Sequence, residues 1–184
     1  MSGANTAQST KFQSSFRWIP EKGDAGQIFA SLSYWVTQDW AVGIDYRPLV
    51  DSVEVTSTYR ALSEDPSGWR PSLILGTSVD DFTDGGVELE SRAWFATVSK
   101  ALPKIEPLGD ITIAPYAGAV WIQEFDDLRP LAGVNIAHPL ASLMVQYSGT
   151  NTHMTLSKSL TPQVSVSAIY WGLKYPGLGL RFRF

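Results

Sequence analysis

Apolar residues in this chain alternate with polar ones, and Gly, Pro, Asp and Asn break the pattern at short intervals. That period of two, punctuated by turn formers, is the signature of strands and tight turns rather than helices. It restricts the chain to all-β architectures. No stretch approaches the roughly 20 apolar residues that a membrane-spanning helix requires. Mean hydropathy is −0.04, so any passage through a membrane has to be made with strands, whose residues are only half apolar.

Twelve strands are expected, over residues 11–18, 27–37, 40–48, 53–61, 70–78, 92–100, 110–122, 128–138, 141–149, 152–159, 163–171 and 178–184. Most approach the ~9–11 residues that a tilted membrane strand needs. The connections are of hairpin length and too short for a parallel crossover, which takes a dozen residues or more. The chain should therefore run as an antiparallel meander in which each strand pairs with the next. An even strand count returns the C-terminus to the end at which the chain began. Pro115 falls inside the seventh expected strand. Proline cannot donate to a sheet ladder, so a bulge or local break is expected there.

Several strands divide cleanly into two faces. Ile28, Ala30, Leu32, Tyr34 and Val36 oppose Phe29, Ser31, Ser33, Trp35 and Thr37. Val42, Ile44 and Tyr46 oppose Gly43, Asp45 and Arg47, and Val53, Val55 and Tyr59 oppose Glu54, Thr56, Thr58 and Arg60. A soluble sandwich buries the apolar set in a core. A membrane barrel turns it towards lipid and lines its lumen with the polar set. Alternation alone leaves both open; the second candidate is a soluble antiparallel barrel or sandwich that binds a ligand or a protein partner.

The C-terminus favours the membrane barrel. In Leu178-Gly179-Leu180-Arg181-Phe182-Arg183-Phe184 the apolar set alternates strictly and ends on phenylalanine. This resembles the bacterial outer-membrane β-barrel superfamily, whose last strand typically ends in an aromatic residue. The resemblance covers seven residues. It implies a closed antiparallel up-and-down transmembrane β-barrel, with Phe182 and Phe184 in the signal read by the barrel-assembly machinery, and outer-membrane lipid around the wall. Residues 71–77 and 92–100 also resemble a hairpin in outer-membrane proteins tied to exopolysaccharide secretion.

Aromatics agree with this reading. Trp18, Trp40, Trp69, Trp121, Trp171 and Tyr175 lie beside expected turns, as interfacial girdles would. The family's usual arrangement places both termini in the periplasm and the odd-numbered connections outside. Those include 79–91, while the turns at 38–39 and 160–162 lie inside. Residues 63–68 and 103–109 are long for inner turns. Residues 1–10 are expected to form a flexible polar segment ahead of one barrel domain spanning 11–184. They lack a basic region and an apolar core, so a mature chain without its signal peptide is expected.

Charge suggests what the interior does. The faces assigned to the lumen carry Arg17, Arg47, Arg60, Arg181 and Arg183 against Asp45 and Glu54. A basic lumen with low-dielectric walls attracts anions. A narrow passive channel with mild anion preference is expected, or a closed membrane scaffold if the charges pair across the interior. The net charge of −4 implies no nucleic-acid partner. No cysteine is present, which excludes disulfides and thiolate metal sites.

Neither a catalytic nor a cofactor motif emerges. Residues 79–90 are rich in carboxylates that Ca²⁺ could use. Their spacing does not match an EF-hand, and a solvated acidic loop is expected, with no metal. His138 and His153 are the two histidines. Neither belongs to the His-x-Ser signature of a barrel lipase, and the expectation is that the protein is not an enzyme and carries no cofactor.

Overall fold

The computed structural model describes residues 11–23, 27–78, 92–103, 110–123 and 125–184. The expected N-terminal segment 1–10 and the acidic loop 79–90 lie outside them.

Twelve strands form: β1 (Phe12–Trp18), β2 (Ile28–Trp35), β3 (Trp40–Arg47), β4 (Ser52–Leu62), β5 (Ser72–Ser78), β6 (Ala93–Ser99), β7 (Thr112–Ile122), β8 (Asp127–His138), β9 (Ala141–Tyr147), β10 (Thr152–Ser159), β11 (Val164–Trp171) and β12 (Tyr175–Arg183). Each pairs antiparallel with its sequence neighbours, and β1 pairs with β12, so the sheet closes into an up-and-down barrel. At the seam, Phe12 N–H donates to Phe184 O at 3.2 Å and Phe184 N–H donates to Phe12 O at 2.9 Å. Closure leaves no edge strand to attract another chain. Both termini mark one end of the barrel, called here the terminal end; the connections β1–β2, β3–β4 and their odd-numbered successors mark the loop end.

The strands arise where alternation and turn chemistry coincide. The β11–β12 hairpin turns on Gly172 and Leu173, with φ of 60° and 52°. Positive φ at both central residues is the geometry whose twist matches antiparallel strands. It lets β12 begin at Tyr175, three residues earlier than expected.

Proline placement explains why β7 survives Pro115. The β7–β8 register runs through Pro115↔Val134 without a shift. The β6 ladder ends one residue earlier, at Ser99↔Tyr116. No bulge forms, and the break is confined to the β6 side: Lys100 N–H still donates to Pro115 O at 3.3 Å and Leu102 N–H to Ile113 O at 2.8 Å, so only the bond the proline nitrogen would have donated is lost. Pro130 on β8 lies likewise beyond the last β9 pair, and Pro176 on β12 beyond the last β1 pair. A register shift occurs instead between Arg60 and Leu62.

The two faces are inverted relative to a soluble barrel. Exposed positions alternate along the strands and are the apolar ones: Phe12, Phe16 and Trp18 on β1, Leu32 on β2, Ile44 on β3, and Val55 at 74 % on β4. The buried apolar side chains are few among the described residues. Ala93, Phe95, Val120, Ile122 and Leu131 form one cluster, with Ile74 against it, inside the wall made by β5–β8. Phe95 fits because its partner across β5–β6 is Gly76, where an added Cβ would lie 2.5 Å from the phenylalanine Cζ.

Candidate functional site: the barrel interior

The interior has two zones. Towards the loop end it is packed. The apolar cluster fills one side, and a charged and aromatic group fills the other. After β1, Ile19 and Lys22 turn inward and are buried although they belong to a connection, while Pro20 and Glu21 between them stay exposed. Gly177 makes room for this: a Cβ there would meet Ile19 Cγ1 and Trp18 O, each at 2.6 Å.

Lys22 Nζ stands 3.5 Å from the centre of the Trp171 ring. The Arg17 guanidinium lies 4.7 Å from the same ring and 4.6 Å from that of Phe29. A cation over an aromatic face is attracted by the ring quadrupole, most strongly where water is excluded. Arg47 Nη1 donates to Glu54 Oε1 at 2.6 Å, with side chains 4 % and 11 % exposed. This is a charge-assisted bond of the stronger kind. Asp45 is buried directly across from Glu54 in the β3–β4 ladder.

Trp171 corrects the expectation that it belongs to an interfacial girdle. It alternates with outward Tyr170, is buried and faces inward, its ring 4.0 Å from that of His153. Trp18, Trp40 and Trp121 do face outward, and Trp69 is 96 % exposed.

His153 also contacts a serine, at 3.2 Å from Nε2 to Ser148 Oγ. The bonding pattern sets its tautomer. Gly172 N–H donates to His153 Nδ1 at 2.9 Å, which requires a lone pair there. The proton of neutral His153 is therefore on Nε2 and points at Ser148 Oγ, while the serine donates to Asn151 O at 3.2 Å. A nucleophile–base pair needs the opposite direction, with the imidazole accepting the hydroxyl proton. His153 thus ties the β9–β10 turn, through Ser148, to the β11–β12 turn, through Gly172.

Towards the terminal end the interior is lined by small hydroxyl side chains. Ser15 and Ser31 bond at 2.7 Å, Ser157 and Ser167 at 2.8 Å, and Ser72 and Ser99 at 2.7 Å. These side chains are smaller than Phe95, Arg47 and Trp171, which fill the loop end. Arg60 lies on this side and reaches Asp39 of the β2–β3 turn at 3.6 Å. Arg181 and Arg183 lie on the inward face of β12, alternating with outward Leu180 and Phe182. Arg181 is exposed although it faces the interior, so solvent reaches it through the terminal end.

The seven charged residues expected in the lumen thus share its wall but do not form one network. Arg47 pairs with Glu54 and Arg60 with Asp39. Arg181 and Arg183 pair with neither expected acid, since Glu54 is taken by Arg47 and no ion pair to either arginine occurs among the described residues. Lys22, in the centre of the packed zone, escaped the sequence reading. On the terminal rim, the carboxyl of Asp65 is held below the usual carboxylate range by the backbone amide and hydroxyl of Ser67. No group of three or more His, Cys, Asp or Glu residues suited to a metal ion occurs among the described residues; residues 79–90 lie outside them.

The fold and its lining define a twelve-stranded closed antiparallel barrel with an apolar exterior and a charged, hydroxyl-rich interior. Among solved structures it is similar to the crystal structure of an outer membrane channel from Pseudomonas putida F1. The TM-score is 0.51 at 10 % identity, over 98 % of this chain and 97 % of that one. At that identity the likeness is one of fold. No protein-family model matches the sequence, and no curated protein matches it.

Proposed function

We propose that the chain is an outer-membrane β-barrel acting as a narrow passive channel that prefers small anions. The observation that carries the reading is the sidedness of the wall. Leu32, Ile44, Val55, Leu156 and Leu178 turn outward on five strands, a surface that water penalises and hydrocarbon accepts. Most strand charges turn inward, where Arg17, Lys22, Arg47, Arg60, Arg129, Arg181 and Arg183 outnumber Asp45, Glu54 and Asp127. Low-dielectric walls focus that positive field on the lumen. The similar channel from Pseudomonas putida F1 supports a transport role for such a barrel. The terminal end faces the periplasm in this reading, and β12 with Phe182 and Phe184 presents itself to the barrel-assembly machinery.

A closed membrane scaffold is the second reading. The packing around Trp171, Lys22 and Phe95 favours it, because these side chains fill the lumen near the loop end. Planar-bilayer recording under a salt gradient decides between the two. An anion-side reversal potential supports the channel. A cation-side potential overturns the anion preference, and the absence of current supports the scaffold.

A further inference from the structure

We infer that Arg181 and Arg183 form a binding site for a polyhydroxylated oxyanion, a sugar phosphate or a sugar acid, entered from the terminal end. The inference rests on the barrel reading above and names the solute class it would admit.

The first argument is electrostatic. Two guanidinium groups sit two residues apart on one face of β12, a spacing of about 7 Å along a strand. Like charges so placed repel, and the low-dielectric wall strengthens the repulsion. Other inward arginines have an evident structural partner: Phe29 and Trp171 for Arg17, Glu54 for Arg47, Asp39 for Arg60 and Asp127 for Arg129. Arg181 and Arg183 have no carboxylate within ion-pair distance among the described residues. Arg183 Nε is buried with no hydrogen-bond partner. A buried donor left unsatisfied costs about 1–3 kcal/mol, and more where it is charged. That buried donor beside a second guanidinium destabilises the barrel unless an anion fills the gap, and guanidinium forks match the paired oxygens of phosphate and carboxylate.

The second argument is the surrounding wall. Arg181 stands between Ser15 on β1 and Ser165 on β11, and Arg183 is opposite Gln13. Ser15 bonds Ser31, and Ser159 bonds Ser165 at 3.3 Å. In each serine pair one hydroxyl donates to the other, which leaves one O–H and several lone pairs to face the lumen. A bare inorganic anion uses only the arginines. A ligand that also carries hydroxyls uses the arginines and the serine wall together.

Isothermal titration calorimetry on the full chain in detergent micelles tests the site, with glucose 6-phosphate, gluconate, inorganic phosphate and glucose as separate titrants. Glucose 6-phosphate or gluconate should bind more tightly than inorganic phosphate and than glucose. Whichever of the two binds better identifies the anionic group. The double variant Arg181→Gln with Arg183→Gln should weaken that binding about tenfold or more, the loss expected for charged hydrogen bonds. Lys158→Gln removes a cation from the outward face of β10 and should leave binding unchanged. Heat-modifiable gel migration confirms that each variant is a folded barrel. Absence of binding, or equal binding by the double variant, overturns the site; equal affinity for inorganic phosphate overturns the polyol assignment. Calorimetry reads binding whether or not the barrel conducts. A conducting barrel that binds neither sugar compound refutes this inference alone, and a silent barrel that binds one refutes only the channel.

Discussion

The ammonium of Lys22 lies 3.5 Å from the centre of the Trp171 indole, fastening the first connection of the barrel to its inner wall. This contact links a loop residue that follows β1 to β11, ten strands on in sequence but only two away round the closed barrel, and holds the packed zone of the lumen in place. Lys22→Ala should loosen the segment 19–22. The contact is worth about 0.5–2 kcal/mol, towards the upper value where water is excluded. The expected outcome is a larger single-channel conductance with a slightly lower unfolding midpoint. An unchanged conductance would place the constriction elsewhere.

Arg47 and Glu54 give a sharper stability test, because both are almost fully buried. Glu54→Ala takes away the carboxylate to which Arg47 Nη1 donates, leaves that buried guanidinium with one partner fewer and should cost up to about 3–5 kcal/mol. Replacing both residues, Arg47→Met with Glu54→Leu, removes the charge together with its partner and should restore most of that loss. Urea unfolding from liposomes, followed by tryptophan fluorescence, measures both. A double variant as unstable as the single one would mean that the pair itself, not the charge deprived of a partner, carries the energy.

The strands were legible from sequence because period-two alternation and turn residues reinforce one another twelve times over. The interior was only partly legible. Parity along each strand placed Arg17, Arg47, Arg60, Arg181, Arg183, Asp45 and Glu54 on one side of the wall. Which of them meet depends on register and on tertiary approach. Only the Asp45↔Glu54 and Arg47↔Ser52 alignments of the β3–β4 hairpin bring Arg47 to Glu54. Trp171 was read as interfacial from its place beside a turn, although its parity opposes that of Val164, Val166 and Tyr170. Lys22 had no signal, since an irregular connection carries no periodicity to show that its side chain turns inward.

The direction of the outer face has its own test. Leu32 lies at the centre of β2 and is about half exposed. Leu32→Arg should destabilise the barrel in a bilayer by roughly 2–4 kcal/mol if the strand centre sits near the midplane. A soluble barrel would accept the same change within about 0.5 kcal/mol, because exposed surface positions are tolerant. Folding titrations into vesicles distinguish the two. A null effect would contradict the membrane assignment.

Phe184 combines two tasks that a single deletion separates. Its backbone completes the seam through reciprocal bonds with Phe12, and its ring is exposed beyond the last strand residue. Removing Phe184 deletes both seam bonds, a loss of about 1–3 kcal/mol at 0.5–1.5 kcal/mol each. Phe184→Ala keeps the backbone bonds and removes only the ring. If the ring is read by the assembly machinery, Phe184→Ala should fold from urea into vesicles as well as the parent while accumulating poorly in the outer membrane of cells. The deletion should be impaired in both assays. Normal accumulation of Phe184→Ala would show that the terminal aromatic ring is dispensable for assembly, and that the strand itself suffices.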